Sequence, residues 1–137
     1  MIWQPGAAIL FILIIFTAAC QDDSISQSTM ENGKKVYNIY CLGCHMEDAM
    51  GVPRLNPPLV KSELLLNDKA KPIRIVLRGS EELKGNSDGD YKNAMAALST
   101  LSDEEIADVL TFTRNSFGNK APRITEADVR KERARLK

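Results

Sequence analysis

The stretch Cys41-Leu42-Gly43-Cys44-His45 decides how the rest of the chain is read. Two cysteines with two residues between them, followed at once by histidine, form the attachment motif of a c-type haem. One helical turn presents both thiols to one edge of a porphyrin, where they add across its two vinyl groups. His45 is then carried under the iron, and a neutral imidazole is a good ligand for it. Two other readings fail. A structural zinc site takes four ligands, usually two Cys pairs or a Cys pair and a His pair, whereas this chain has three Cys and one His in all. A thioredoxin-like redox pair sits in a βαβ pattern, and no strand pattern stands out here.

Downstream, the expected second iron ligand is Met95, the alternatives being a plain core methionine there and an iron left open to a small ligand. His45 is the only histidine, so a methionine sulfur is the natural partner, and it raises the reduction potential. Met30 precedes the first helix, and Met46 and Met50 are too near His45 to reach the opposite ring face easily. Met95 lies fifty residues beyond His45, just before a strong helix start, in a segment able to cross the ring. Between the two lies Asn56-Pro57-Pro58-Leu59, which must be extended because two prolines do not fit a helix interior. Haem-ligand histidines usually give their second ring N–H to a carbonyl or carboxylate, and Pro57 or Pro58 can supply that carbonyl.

Helical patterns surround these residues, and the fold class expected is all-α. Ser28 and Glu31 have capping-box spacing, and Gly33, Val36, Tyr37 and Tyr40 share a face leading into Cys41. Ser62–Leu66 reads as a short helix, with Asn67 or Asp68 capping another over Pro72–Arg78 that stops at Gly79. Ser80–Tyr91 reads as an acidic, glycine-containing loop. Ser102 and Glu105 form a capping box with Leu101 stapled to Ile106. Ile106, Val109, Leu110, Thr113 and Phe117 then keep the helical period until Gly118. Beyond Pro122, Thr125 and Asp128 repeat the box, opening a charged helix with only Val129 and Leu136 to bury, expected to dock on its own domain.

Upstream, residues 7–19 are an apolar or neutral run ending in Ala18-Ala19, immediately before Cys20. It is short for a membrane span and has the length of a signal-peptide core. The small residues before Cys20 resemble the lipobox of bacterial lipoproteins, which implies cleavage before Cys20 and its lipidation. Thr17 stands where an aliphatic residue is usual and no Lys or Arg precedes the run; an uncleaved anchor or an ordinary signal peptide are the alternatives. Acylation also accounts for the one cysteine outside the haem motif. The domain plan expected is therefore a signal peptide at 1–19 and a lipidated cysteine with flexible tether at 20–29. A haem domain at 30–119 and a basic helical extension at 120–137 follow.

Composition agrees with one modest domain. The chain has 137 residues, 26% charged and 44% hydrophobic, which is globular rather than disordered. Formal net charge is zero, so no global field attracts nucleic acid. The basic residues Lys120, Arg123, Arg130, Lys131, Arg133, Arg135 and Lys137 nonetheless crowd the tail.

The stretch from Glu31 to Asn119 resembles class I cytochrome c. Gly33-Lys34-Lys35-Val36-Tyr37 followed by Cys41 to His45 is similar to that family's first helix and haem site. The resemblance implies that Pro57 supplies the carbonyl that receives the ligand histidine's N–H. It implies further that Leu59 packs on the haem, that Met95 is the sulfur ligand, and that Gly33 and Tyr37 cross Val109 and Phe112. Leu101 to Ala107, running into Arg114 to Asn119, resembles the last helix of bacterial monohaem cytochromes attached to oxidases, reductases and quinone-cofactor dehydrogenases; the likeness extends through Ile124 to Arg130. The family often has Met-Pro at the sulfur ligand, and here Met95 is followed by Ala96, which implies a looser loop.

The function expected is that of a one-electron carrier, not an enzyme. It holds one haem c through Cys41 and Cys44, with His45 and Met95 on an iron that alternates between Fe(III) and Fe(II). Its partners would be redox proteins outside the cytoplasm (a periplasmic dehydrogenase, oxidase or reductase) and a membrane reached through lipid on Cys20, with no nucleic acid and no small-molecule substrate. Two alternatives stay open: a five-coordinate haem enzyme or gas sensor, and a haem-bearing docking subunit whose basic tail is the interface.

Overall fold

The computed structural model describes residues 24–83 and 91–137. The expected signal segment, Cys20 and the start of the tether lie outside the described residues, as do Gly85, Asp88, Gly89 and Asp90 of the acidic loop.

The first helix, α1 (Gln27–Tyr40), starts earlier than the sequence pattern implies. Its cap is Ser26, whose hydroxyl accepts the N–H of Thr29 at 3.1 Å. Ser28 is already inside the first turn, and its hydroxyl lies 2.9 Å from that of Ser26. The tether expected to reach residue 29 therefore gives way to helix at Gln27, because Ser26 satisfies an amide that a helix start leaves orphaned.

Helix α1 crosses α5 (Asp103–Arg114) closely, and Gly33 is the reason. A Cβ at Gly33 would overlap the Asp108 carbonyl oxygen and sit 2.6 Å from the Phe112 Cβ. The backbones meet only because that carbon is missing. Tyr37 packs beside the crossing, its ring centroid 5.8 Å from Phe112 and 5.4 Å from Phe117. One turn beyond, Tyr40, expected on the buried face, is instead 49% exposed.

Helix α5 carries the capping box between Ser102 and Glu105 in both directions, at 3.1 and 2.8 Å. It ends before Phe117, at Arg114, because Asn115 turns back: its amide side chain bonds the Thr111 carbonyl at 3.0 Å. A positive φ at Phe117 (58°) then folds that ring under Tyr37 and Phe112.

Between the two crossing helices run the single turns α2 (Leu42–His45) and α3 (Glu63–Leu66), then α4 (Ala70–Arg78). Asp68 opens α4, accepting the N–H groups of Ala70 and Lys71 at 3.0 and 2.9 Å. Pro72 stands in its first turn, where a missing N–H costs nothing, and Ile73, Val76 and Leu77 are buried beneath it. A 3₁₀ turn, Gly79–Leu83, follows in place of the loop expected from Ser80 onward. Among the described residues the only β pairing is an isolated bridge between Val52 and Asn56.

The extension forms α6 (Glu126–Arg135), opened by the Thr125–Asp128 box and packed on α4 and α5. Val129 is fully buried, as its position implies, but so is a charged residue: Glu132 is 3% exposed. Its carboxylate takes Arg74 of α4 at 3.0 Å and Arg135 at 2.8 Å. Burying an unpaired carboxylate would be prohibitive, so pairing on both oxygens is what lets it sit there.

Candidate haem site

The geometry of the haem motif grows out of α1. Cys41 closes that helix, its N–H on the Tyr37 carbonyl at 2.8 Å, and α2 follows at once. The N–H groups of Cys44 and His45 both return to the Cys41 carbonyl, at 3.1 and 2.9 Å. This turn sets the two cysteines three positions apart on one face. Cys41 is half-buried, Cys44 exposed, and both are free thiols. Burial, then the neighbouring Cys44, pushes the Cys41 thiol up to about 11.

His45 is 8% exposed, and its Nδ1 stands 3.0 Å from the Pro57 carbonyl oxygen. A carbonyl only accepts, so Nδ1 carries the proton and the neutral ring's lone pair is on Nε2. Burial holds His45 below its usual value, against the opposing pull of the Pro57 carbonyl. Of the two prolines open on sequence grounds, Pro57 makes the contact.

Three further residues fix this contact. Tyr37 donates its hydroxyl to the Met46 carbonyl at 2.7 Å, tying the residue after His45 to α1. Gly51, with φ +64°, bonds the His45 carbonyl at 3.0 Å; a Cβ on it would overlap the Asn56 carbonyl and lie 2.6 Å from that of Pro57. Asn119 spends its whole amide joining the segment after the prolines to α5. Its Nδ2 donates to the carbonyls of Leu59 (3.0 Å) and Thr113 (2.9 Å), and its Oδ1 accepts from the Lys61 N–H at 2.8 Å. Leu59, half-buried against the core, is thereby held to the end of α5. Arg114, 1% exposed, clamps the next stretch through the carbonyls of Leu65, Leu66, Asp68 and Pro122. The sequence marked neither Asn119 nor Arg114 for these roles, because a polar residue near a helix end carries no mark of which distant carbonyl it serves.

Met95 is also half-buried against the core. Its N–H donates to the Ser80 hydroxyl at 2.6 Å, and its carbonyl accepts the Ser80 N–H at 3.0 Å. Three and two residues earlier, the N–H groups of Lys92 and Asn93 bond the carbonyls of Arg54 and Leu55 at 3.0 and 3.1 Å. The Met95 segment is thus stitched to the same loop that brings Pro57 to His45. The competing methionines are poorly placed. Met30 is about 16 Å up α1 from Cys41 by helical rise, and Met46 and Met50 are 37% and 53% exposed.

These residues fit a covalently held haem. They comprise two free cysteine thiols on one turn, an oriented imidazole, and apolar side chains (Leu59, Leu66, Met95, Leu98) only partly covered by the core. Among the described residues no group of three or more His, Cys, Asp or Glu side chains is placed to hold a bare metal ion.

The site and the helical frame together define a c-type cytochrome of class I, with haem c as its covalent cofactor. The family described as cytochrome c matches residues 30–116, well over half of the chain, and the protein belongs to it. Its relatives fall into two groups. The cytochrome c subunit of the quinone alcohol dehydrogenase of Gluconobacter oxydans is 34% identical over 103 residues, and that of Komagataeibacter europaeus 36% over the same length. Each match covers 74% of this chain but 22% of the relative, so the chain spans about a fifth of those subunits. Cytochrome c-552 of Thermus thermophilus is 33% identical over 95 residues, covering 64% of this chain and 70% of the relative.

Proposed function

We propose that the protein is a one-electron carrier in which Cys41 and Cys44 attach the haem and His45 and Met95 ligate its iron. The observation that carries this reading is the 3.0 Å contact from His45 Nδ1 to the Pro57 carbonyl, which fixes both the tautomer and the ring's direction. When bound, haem c supplies reversible one-electron Fe(III)/Fe(II) chemistry. The chain's part is to keep the ligands still. Pro57 holds the imidazole, Ser80 holds the backbone of Met95, and Asn119 with Arg114 holds the loops between them. Ligands that do not move when the charge changes leave little to reorganise, which is what a carrier needs.

A redox protein outside the cytoplasm is the partner class, and a dehydrogenase is favoured because two of the relatives are named as dehydrogenase subunits. Cys20, outside the described residues, is the proposed lipid anchor; among the described residues no helix is long and apolar enough to cross a membrane. The basic tail is a poor candidate for the main interface, because Arg133 and Arg135 are engaged within the domain.

The test is spectroscopic. The purified holoprotein carries haem mass covalently and shows a sulfur-to-iron charge-transfer band when oxidised, and Met95→Ala loses that band. A band that survives in the variant overturns the ligand assignment. An oxidised protein with no band supports a five-coordinate enzyme or sensor instead.

A further inference from the structure

Helix α6 lies beyond residue 116, where the match to the family ends. It nevertheless reaches both sides of the Met95 segment. On the far side, Arg133 closes on the residues that follow Met95: Nη1 donates to the Ser99 carbonyl and Nη2 to the Leu101 carbonyl, each at 2.7 Å. Its Nε meets Asp103 Oδ1 at 2.8 Å. Three donors of one planar fork are used at once, which fixes the segment's direction as well as its place. On the near side, buried Glu132 holds Arg74 at 3.0 Å, and Arg74 holds Glu82 at 2.8 Å. Glu82 belongs to the Gly79–Leu83 turn, and that turn carries Ser80, which grips Met95 through both its N–H and its hydroxyl.

We propose that α6 is a brace for the sulfur ligand, with Arg133 and Glu132 as positioning residues that keep Met95 on the iron. The idea rests on Met95 being that ligand. It also answers a question raised by Ala96. Without a proline after the methionine, the backbone is not stiffened from within, and the hydrogen bonds of Ser80 and Arg133 stiffen it from outside. Met95 then resists displacement by small molecules as long as the extension is docked.

The experiment uses the full-length holoprotein and three readouts: the sulfur-to-iron band, the midpoint potential, and the affinity of the oxidised form for imidazole, which competes with the sulfur. Arg133→Ala removes all three guanidinium bonds; it should weaken the band, lower the potential and raise imidazole affinity at least roughly tenfold, the effect of a single charge-assisted hydrogen bond. Glu132→Gln should move the same readouts in the same direction. Arg133→Lys should rescue in part, since one ammonium can serve one of the carbonyls. Exposed Lys131→Ala should change nothing. All readings are taken where circular dichroism shows the variant folded. If Arg133→Ala and Glu132→Gln lower only the unfolding temperature, leaving band, potential and imidazole affinity as in the parent, α6 is a structural cover and the proposal is wrong. If the parent lacks the band, or Met95→Ala keeps it, the ligand reading fails and the brace falls with it. Met95→Ala therefore separates the two failures.

Discussion

Replacing Gly79 with alanine should detach the sulfur ligand while leaving the helices folded. Gly79 ends α4 with φ 60° and ψ −145°, a combination essentially reserved for glycine. Strain from a side chain there is on the order of 1–3 kcal/mol. The added Cβ would also overlap the Met95 carbonyl oxygen and lie 2.8 Å from both the Ala96 carbonyl carbon and the Ala97 nitrogen. All three are backbone atoms and cannot swing aside, so the Met95 segment must retreat. That retreat breaks the Ser80 N–H to Met95 carbonyl bond, worth about 1 kcal/mol net. The total, about 2–4 kcal/mol, falls on one segment, whereas a domain's whole stability is about 5–15 kcal/mol. Local opening therefore comes first. In a denaturant titration of the oxidised holoprotein, the sulfur-to-iron band should vanish well before the helical circular dichroism, or be absent at the start. A Gly79→Ala protein whose band and helix signal melt together at the parental midpoint would refute the argument.

Gly33→Ala should behave in the opposite way. It forces α1 from α5 at a backbone contact, an overpacking cost of about 1–3 kcal/mol only partly offset by about 1 kcal/mol of helix propensity. The helix signal and the band should then melt together at a lowered midpoint. Asn119→Ala should cost about 2–4 kcal/mol in a urea titration, since three bonds of about 1 kcal/mol each, one buried and two partly buried, disappear and leave the Lys61 N–H without its partner. Acid should loosen the near side of the brace. The Arg74 guanidinium holds the Glu82 carboxyl below its usual range, so its stabilisation is present above the unfolded value of about 4.3 and is lost as pH falls through the lower folded value. Unfolding temperatures measured from pH 6 downward should fall less steeply in Glu82→Gln than in the parent over that window.

The frame was legible because its signals are local. The Ser102–Glu105 and Thr125–Asp128 boxes are read from spacing alone, and both form in each direction. Local spacing also misled. Ser28 and Glu31 have box spacing, but Ser26 has an equal claim to the same turn, and the chain chose the earlier serine. The end of α5 was misread for a related reason. Phe117 keeps the helical period in sequence, yet it reaches the core through a positive φ after the helix has ended. Periodicity reports which side chains are buried and not which backbone conformation buries them.

The site divides in the same way. The haem motif is contiguous, so Cys41, Cys44 and His45 could be read in one glance. Some of the residues that steady it act over long separations: Arg114 reaches Leu65 across 49 positions and Asn119 reaches Leu59 across 60. No spacing rule covers such distances, because they are set by where helices cross. The crossing, in turn, was foreshadowed by one residue. A glycine inside α1 costs about 1 kcal/mol against alanine, and the close approach of Asp108 and Phe112 is what offsets that cost. Gly79 and Gly51 follow the same logic at the loops. Each marks a backbone that another backbone must touch, the Met95 carbonyl in one case and the Pro57 carbonyl in the other. Three glycines thus mark the three approaches on which the site depends: helix to helix, sulfur segment to α4, and proline carbonyl to histidine loop.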